Sequence, residues 1–414
     1  MSRKSDQTER TDVVIVGGGI GGLVLALALA GMGRTVAVVE RQTVLKPYAR
    51  GELLQPNGLR ILDRLGLSEP MKSLPAHTAH QFHFHRIGGK RLCSVDYRTL
   101  APPWNYTLIT LPHHLLNLLL KRLEQSDLVR LMTGTDFKEL LIEDNTVAGI
   151  RAEKDSRLIE LRAPIVVGSD GARSKVREAM GTRSHLHTYR EGYLTMVIPR
   201  PHGFVDDARY YVGHGEILGL FPVSNAELYL FYMIPAAKRD RMKQDDVGKV
   251  TAAIAKIDDT LTVPLQSVQT WDQVGYMPCM RVRAERWTAA GLALIGDAAH
   301  AMNPHVAQGR NQAMEDAIAL AEAIQDCFDA GEFDQARLAR YEMRRRPVVE
   351  RLQRTGDELT LLWNTGFPPL AWFRDRIFEG IQRHPEVRKR VIQTISGLDV
   401  RPMGLLDRLR IFLP

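Results

Sequence analysis

Asp12-Val13-Val14-Ile15-Val16-Gly17-Gly18-Gly19-Ile20-Gly21-Gly22 opens the ordered part of the chain, and Thr35-Val36-Ala37-Val38-Val39-Glu40 follows a short way on. The first apolar run reads as a buried strand, Leu23 to Ala30 as an apolar helix, and Thr35 to Glu40 as a second buried strand. Together they make a βαβ unit with G-x-G-x-x-G at positions 17, 19 and 22. Each glycine has a separate task. Gly17 permits the tight turn, Gly19 lets backbone approach a pyrophosphate, and Gly22 lets helix and strand pack closely. The phosphates then meet the free N–H groups of the helix that starts near Ile20. Glu40 ends the second strand, where a carboxylate accepts from ribose hydroxyls. The motif specifies a dinucleotide without saying which. Arg41 suits a 2′-phosphate if the ligand carries one, and is otherwise a solvated arginine.

With 414 residues the chain exceeds one ordinary core, so two closely packed domains are expected. Apolar residues at 44% and charged residues at 25% fit a water-exposed globular protein. The net charge of +7 suits anionic cofactors or an acidic lipid surface. Basic clusters with interleaved aromatics are missing, which argues against a nucleic-acid partner. Val13 to Gly33 lacks charge and mimics a signal peptide or span, but its glycines make it a poor one. Cys93, Cys279 and Cys327 are far apart, so neither disulfides nor a zinc site are expected, and a reducing, cytoplasmic compartment fits.

Elsewhere, residues 1–11 read as polar and disordered. Helices are expected over Asn57–Leu67 and His113–Glu124, and a hairpin around Gly88-Gly89 between His77 and Asp96. Thr146–Ala152 and Leu158–Val167 read as strands, the second ending in Gly168-Ser169-Asp170-Gly171. Arg209–Val212, Ile217–Val223 and Leu228–Ile234 suggest a mixed sheet. A strand from Gly291 to Gly296 runs into Asp297, followed by one long amphipathic helix to about Phe328. The last residues are helical.

Two further segments carry a resemblance. Leu294-Ile295-Gly296-Asp297-Ala298-Ala299-His300, with Pro304, Gln308-Gly309, Asn311 and Glu315-Asp316, resembles the second FAD fingerprint of the p-hydroxybenzoate hydroxylase-like flavin monooxygenases. Val166 to Ser174 with Val176-Arg177 is similar to that family's Asp-Gly fingerprint, and Tyr341-Glu342 with Arg345-Arg346-Pro347 to the stretch closing its FAD domain. Gly397-Leu398 and Gly404 to Asp407 faintly resemble the branch acting on polyprenyl phenols and quinols. The resemblance implies an α/β protein with a Rossmann-like FAD-binding domain (12–72, 105–180 and 276–347). It also implies an inserted mixed-sheet substrate domain (73–104 and 181–275) and a helical C-terminal region (348–414). FAD would be held by Gly17, Gly19, Ile20, Gly22, Glu40, Arg41, Arg50, Asp170, Gly296, Asp297, Pro304, Gln308, Gly309, Arg310 and Asn311. NADH or NADPH would dock on the same domain near Asp170, Arg173 and Ser174, since no second βαβ nucleotide unit is visible. Three positions depart from the family: Ala307 and Arg310 replace a usual glycine and methionine, and His113 replaces an arginine. Arg310 then meets either an acidic substrate group or an internal carboxylate.

By the same resemblance, O2 becomes an electrophilic flavin C4a-hydroperoxide, so the substrate is a small, apolar, electron-rich aromatic or quinol. Tyr211, Tyr229, Tyr232, Phe221 and Pro222 are candidate pocket walls. His83 and His85 share a strand face, with His77 and His80 nearby; the spacing lacks the carboxylate or thiol that a metal would need. One of these histidines could serve as base. The catalytic candidates are therefore His83, His85, Tyr211 and Tyr232. Aromatic and basic residues from Leu359 to Phe412 suit either packing, a homodimer contact, or peripheral membrane contact. The alternatives are an FAD-dependent reductase or cyclase of the geranylgeranyl-reductase kind, and a non-enzymatic FAD-binding redox module. A flavin halogenase would carry a Trp-x-Trp-x-Ile-Pro motif, which this chain lacks.

Overall fold

The computed structural model describes residues 7–45, 52–205 and 207–412. At its centre the strand Val13–Val16 lies between Val36–Glu40 and Ile165–Gly168, parallel to both. Val129–Thr133 and Leu292–Leu294 extend this parallel sheet outward, and Thr288–Ala289 closes one edge antiparallel. The inner strands are Val- and Ile-rich because both faces are covered. The helix Ile20–Gly31 packs on one face beside the long helix Gly309–Ala330. Leu23, Leu25, Leu29, Leu320 and Ile324 are all fully buried in this core.

A second, seven-stranded sheet runs Gly275–Ala284, Ser184–Pro199, Glu227–Pro235, Ile217–Pro222, Arg209–Val212, Gln81–Arg86, Arg91–Asp96. All its pairings are antiparallel except Arg209–Val212 with Gln81–Arg86. One face is aromatic and packs against the C-terminal helices; the other is aliphatic and is covered by the helix Val247–Ile257. Two smaller sheets complete the fold: Thr135–Glu143, Thr146–Lys154, Arg157–Arg162 and Gln7–Arg10 form one, and Glu52–Leu54, Thr107–Thr110 and Ala76–Ala79 the other.

The structure revises four sequence expectations. Gln7–Arg10, expected to be disordered, is an edge strand parallel to Arg157–Arg162. Its residues are polar, so no apolar alternation announces it; backbone pairing and the Glu9–Arg130 ion pair hold it. The run Leu158–Val167 is two strands in two sheets, broken at Ala163-Pro164, where proline supplies no N–H for continued pairing. The single helix expected from Asp297 is three pieces: Asp297–His300, the tight turn Pro304–Val306, and Gly309–Ala330. Finally, Pro347 lies inside the continuous helix Gln335–Trp363, so one element passes straight through the expected boundary at 347/348.

The C-terminal helices Pro368–Arg383, Pro385–Ile395 and Leu405–Arg410 follow. Among the described residues no helix is long and apolar enough to cross a membrane.

Candidate active site

Backbone geometry at the glycine turn leaves no room for side chains except where a ligand would lie. Gly17 has φ +111°, and a Cβ there would stand 2.3 Å from the Ser169 carbonyl oxygen. At Gly22 a Cβ would stand 2.3 Å from the Gly17 carbonyl. Gly19 is different: it is exposed, and nothing lies within 4 Å of where its Cβ would be. This open space faces the first turn of the helix Ile20–Gly31, which contains no acidic residue to occupy its N–H groups. Glu40 is pre-oriented beside it. Its Oε2 accepts from Gly18 N at 2.9 Å and its Oε1 from Gln42 N at 2.8 Å, leaving further lone pairs for ribose hydroxyls. Arg41 is exposed next to it. Arg50 lies outside the described residues.

Tight contacts bring the distant segments to this turn. Gly21 and Gly296 converge on Ala313, with Cβ positions 3.2 and 3.0 Å from its methyl. Gly296 takes φ +58°, and Asp297 after it is exposed at the start of the short helix Asp297–His300. Asp170 accepts from Ser174 Oγ at 2.5 Å and Val176 N at 3.1 Å. Arg177 donates to the carbonyls of Ala172 and Ala298 at 2.9 and 2.8 Å, tying that loop to the Asp297 turn.

Pro304 starts the turn leading to the helix Gly309–Ala330. Ala307 adopts the left-handed φ of +49° that its position requires, so the missing glycine is tolerated at a conformational cost. Gln308 is fully buried; its amide donates to Ile395 O at 2.7 Å and its carbonyl accepts from Gln312 at 2.8 Å and Asn57 at 3.2 Å. Asn311 accepts from Gln55 N and donates to Leu53 O, both at 3.1 Å, drawing the strand Glu52–Leu54 to the helix N-terminus. Gly309 faces space, with only Met302 at 3.8 Å from a would-be Cβ, and Arg310 is half-buried behind it.

Below this turn sits a buried ion cluster. Asp316 accepts from Gly296 N at 3.0 Å, His300 Nε2 at 2.5 Å and Arg345 Nε at 2.8 Å, and Arg345 also reaches Gln312. Burial works to raise the Asp316 carboxyl, but His300 and the Arg345 guanidinium beside it outweigh that and hold it down at about 2.

The aromatic face of the seven-stranded sheet comes in above the Pro304 turn. Register decides which residues it presents. Thr195, Phe231, Gly219, Tyr210 and Phe84 are aligned across five strands, and the next row, Leu194, Tyr232, Leu218, Tyr211 and His85, points to the opposite face. All four catalytic candidates therefore turn away from the Pro304 loop. Tyr211 donates to Asp258 at 2.8 Å, Tyr232 donates to Glu216 at 2.5 Å, His83 is buried on Ser94 Oγ at 2.7 Å, and His85 packs on the Tyr211 ring. His77 and His80 bond Asp207 through ring and backbone respectively. Of the expected wall residues, Phe221 and Tyr229 do belong to the aromatic face.

The residues that do meet the loop are Tyr193, His305, Trp363 and Asn364. His305 Nε2 lies 2.9 Å from Asn364 Oδ1 and 3.3 Å from the Tyr193 hydroxyl, with Trp363 edge-on to the imidazole at 5.3 Å. Burial pushes the His305 pKa down to about 4 and the Tyr193 phenol well up, so both are neutral near pH 7. Sequence reasoning missed this group. The available signal was His305 itself, inside a fingerprint whose neighbours Pro304 and Gln308 were singled out.

A parallel sheet, a glycine turn open only where phosphates would lie, and a second sheet set against it define a dinucleotide-binding fold with a further domain beside it. The chain belongs to the FAD binding domain family, whose pattern matches residues 10–355. It is 31% identical to 6-methylpretetramide 4-monooxygenase of Streptomyces rimosus over 83% of this chain and 82% of that protein. To 3-demethoxyubiquinol 3-hydroxylase of Escherichia coli K12 it is 24% identical over 94% of this chain and 99% of the relative. The crystal structure of p-nitrophenol 4-monooxygenase from Pseudomonas putida DLL-E4 superposes with a TM-score of 0.80 at 22% identity, covering 96% of this chain and all of that one, which shows the fold. The protein is an FAD-dependent monooxygenase, as the fingerprints led us to expect. The reductase or cyclase alternative and the redox-module alternative gain nothing from these relatives.

Two outcomes test this geometry. Replacing Arg345 with leucine leaves a buried carboxylate short of a cation and should destabilise the fold by about 3–5 kcal/mol in denaturant titration. Because the folded Asp316 pKa is depressed, its stabilising contribution is complete above the unfolded value of roughly 3.9 and disappears as pH falls through about 2. For the far-face residues, His83→Ala, His85→Ala, Tyr211→Phe and Tyr232→Phe should leave coupled turnover intact. A loss of ~10²-fold, the scale of a general base, would return any of them to the site.

Proposed function

We propose that the chain hydroxylates a small, largely apolar, electron-rich ring of the phenol, quinol or quinolone type, using O2 and either NADH or NADPH. The carrying observation is the aromatic face of the second sheet, set against the turn that precedes the helix Gly309–Ala330. Bound FAD would accept reducing equivalents from NAD(P)H and activate O2 for transfer to the ring. Gly17, Gly19, Gly22 and the N-terminus of Ile20–Gly31 would hold its pyrophosphate, Glu40 its adenosine ribose, and Asp297 its ribityl hydroxyls.

This chain's own contribution is charge and dryness. The helix Gly309–Ala330 has no acid in its first turn, so its positive end would stabilise negative charge on the ring system of the cofactor. Tyr193, Phe231, Tyr210 and Trp363 supply apolar surface that excludes water from the reacting atoms. The nicotinamide would dock near Asp170 and Arg173, because the described residues hold a single parallel βαβ sheet. Substrates of the relatives favour the same class, since one is named for a pretetramide and another for a demethoxyubiquinol.

The purified protein should be yellow, and a panel of phenols, quinols and quinolones should contain members that accelerate NAD(P)H oxidation. Their products should gain the mass of one oxygen, derived from ¹⁸O2. Accelerated NAD(P)H oxidation with reduced product and no oxygen uptake would replace hydroxylation by reduction.

A peripheral membrane contact belongs to the same reading. Trp372, Phe373, Leu409 and Phe412 are exposed, Phe373 stacks on Phe412, and Arg376, Arg408 and Arg410 are exposed around them. Aromatics with interspersed arginines suit an anionic lipid surface. The protein should sediment with vesicles containing phosphatidylglycerol more than with pure phosphatidylcholine, and Trp372→Ala with Arg376→Ala should abolish the difference.

A further inference from the structure

His305 has the arrangement of an oriented base rather than of a packing residue. One ring nitrogen, Nε2, is fixed by Asn364 Oδ1 at 2.9 Å. The other, Nδ1, has no hydrogen-bond partner among the described residues. The ring is half-buried and held edge-on by Trp363, and Asn303 fixes the backbone by accepting from His305 N at 3.0 Å. An acceptor oxygen at Nε2 selects the tautomer that carries hydrogen there, which leaves the Nδ1 lone pair available. Asn364 sits just beyond the helix Gln335–Trp363, and His305 sits three residues before Gln308, so the pair bridges the C-terminal helix to the fingerprint loop.

We propose that His305 is a catalytic residue: its Nδ1 accepts a hydrogen bond from a hydroxyl on the substrate ring and takes that proton as the ring is oxygenated. This rests on the hydroxylation reading above and names what it demands of the substrate, an ionisable hydroxyl ortho or para to the reacting carbon. In the step, an electron pair from that carbon forms the new C–O bond while the O–O bond of the O2-derived oxidant breaks. The substrate hydroxyl becomes a carbonyl and its proton passes to Nδ1. The oxygenated carbon then loses its hydrogen as a proton, the ring regains aromaticity, and Nδ1 returns its proton to the carbonyl oxygen. The second oxygen atom leaves as water, with NAD(P)H as the reductant.

The weak basicity of His305 suits this timing. An ordinary phenol, with a pKa of roughly 10, would not surrender its proton to a base this weak in the resting complex. Once the ring carries the positive charge of electrophilic attack, its hydroxyl becomes far more acidic and a weak base suffices. The titratable group facing the imidazole is the Tyr193 hydroxyl; Asn364, Trp363 and Asn303 are uncharged, and no charged side chain adds to the effect of burial. The base therefore stays neutral across the physiological range.

The test uses ¹⁵N-histidine-labelled holoenzyme, with the His305 signals assigned by their loss in His305→Gln. The imidazole nitrogens should report hydrogen on Nε2 near pH 7, and 4-methylphenol should shift the Nδ1 resonance while 4-methylanisole, which lacks the hydroxyl, should not. His305→Ala that retains FAD should bind 4-methylphenol about tenfold more weakly with 4-methylanisole unchanged. Asn364→Asp should keep the tautomer but raise the imidazole pKa, and so bring an acid limb into the pH profile of ring hydroxylation. Hydrogen on Nδ1, equal weakening of both probes, or no binding of 4-methylphenol at millimolar concentration would overturn the proposal. A colourless protein, or reduction without oxygen uptake, would instead defeat the underlying assignment.

Discussion

Asp316 carries a full negative charge at a position with no solvent exposure, and its three donors come from two separate parts of the chain: Gly296 and His300 on one turn, Arg345 on a later helix. An isolated buried carboxylate is too costly to persist, so it must either be paired or pick up a proton. Pairing requires that the strand end at Leu294, the helix Gly309–Ala330 and the helix Gln335–Trp363 meet at one point. Once they meet, Gly296 is forced into its unusual turn, Asp297 faces outward, and Gly309 starts its helix beside the open space of the glycine turn. Gln312 and Gln308 carry the same network on to Asn57 and to the C-terminal segment at Ile395.

The nucleotide end of the molecule was legible because its chemistry is local. Strand, turn, helix and strand from Val13 to Glu40 lie in unbroken sequence, Gly17 and Gly22 answer to close backbone contacts, and Gly19 stays open. Ser169-Asp170 and Gly296-Asp297 were legible as patterns, although only packing shows why Gly17, against the Ser169 carbonyl, and Gly296, against Ala313, carry no side chain. The edge strand Gln7–Arg10 was illegible because it buries no apolar side chain, and the break at Pro164 was hidden by an apolar composition common to both strands.

The facing of the catalytic candidates was illegible for a different reason, the period of two along a strand. His83, His85, Tyr211 and Tyr232 are all on strands of the right sheet, but side chains on a strand alternate, and the register puts this row on the aliphatic side with Leu194 and Leu218. Composition could not choose between faces, since Tyr210 and Phe231 are equally aromatic one residue away. Asn364 was beyond sequence reasoning altogether, because its relation to His305 spans the fold.

The helix Gln335–Trp363 ends where the aromatic face begins, and it carries Arg345 about a third of the way along and Trp363 at its end. At 1.5 Å per residue those two positions stand roughly 27 Å apart on a single rod. Here no cut can separate the two sheets cleanly, because the strut that neutralises the buried Asp316 also carries Trp363 into the aromatic face. Chimaeras of this scaffold would have to be joined after Asn364, carrying the strut whole.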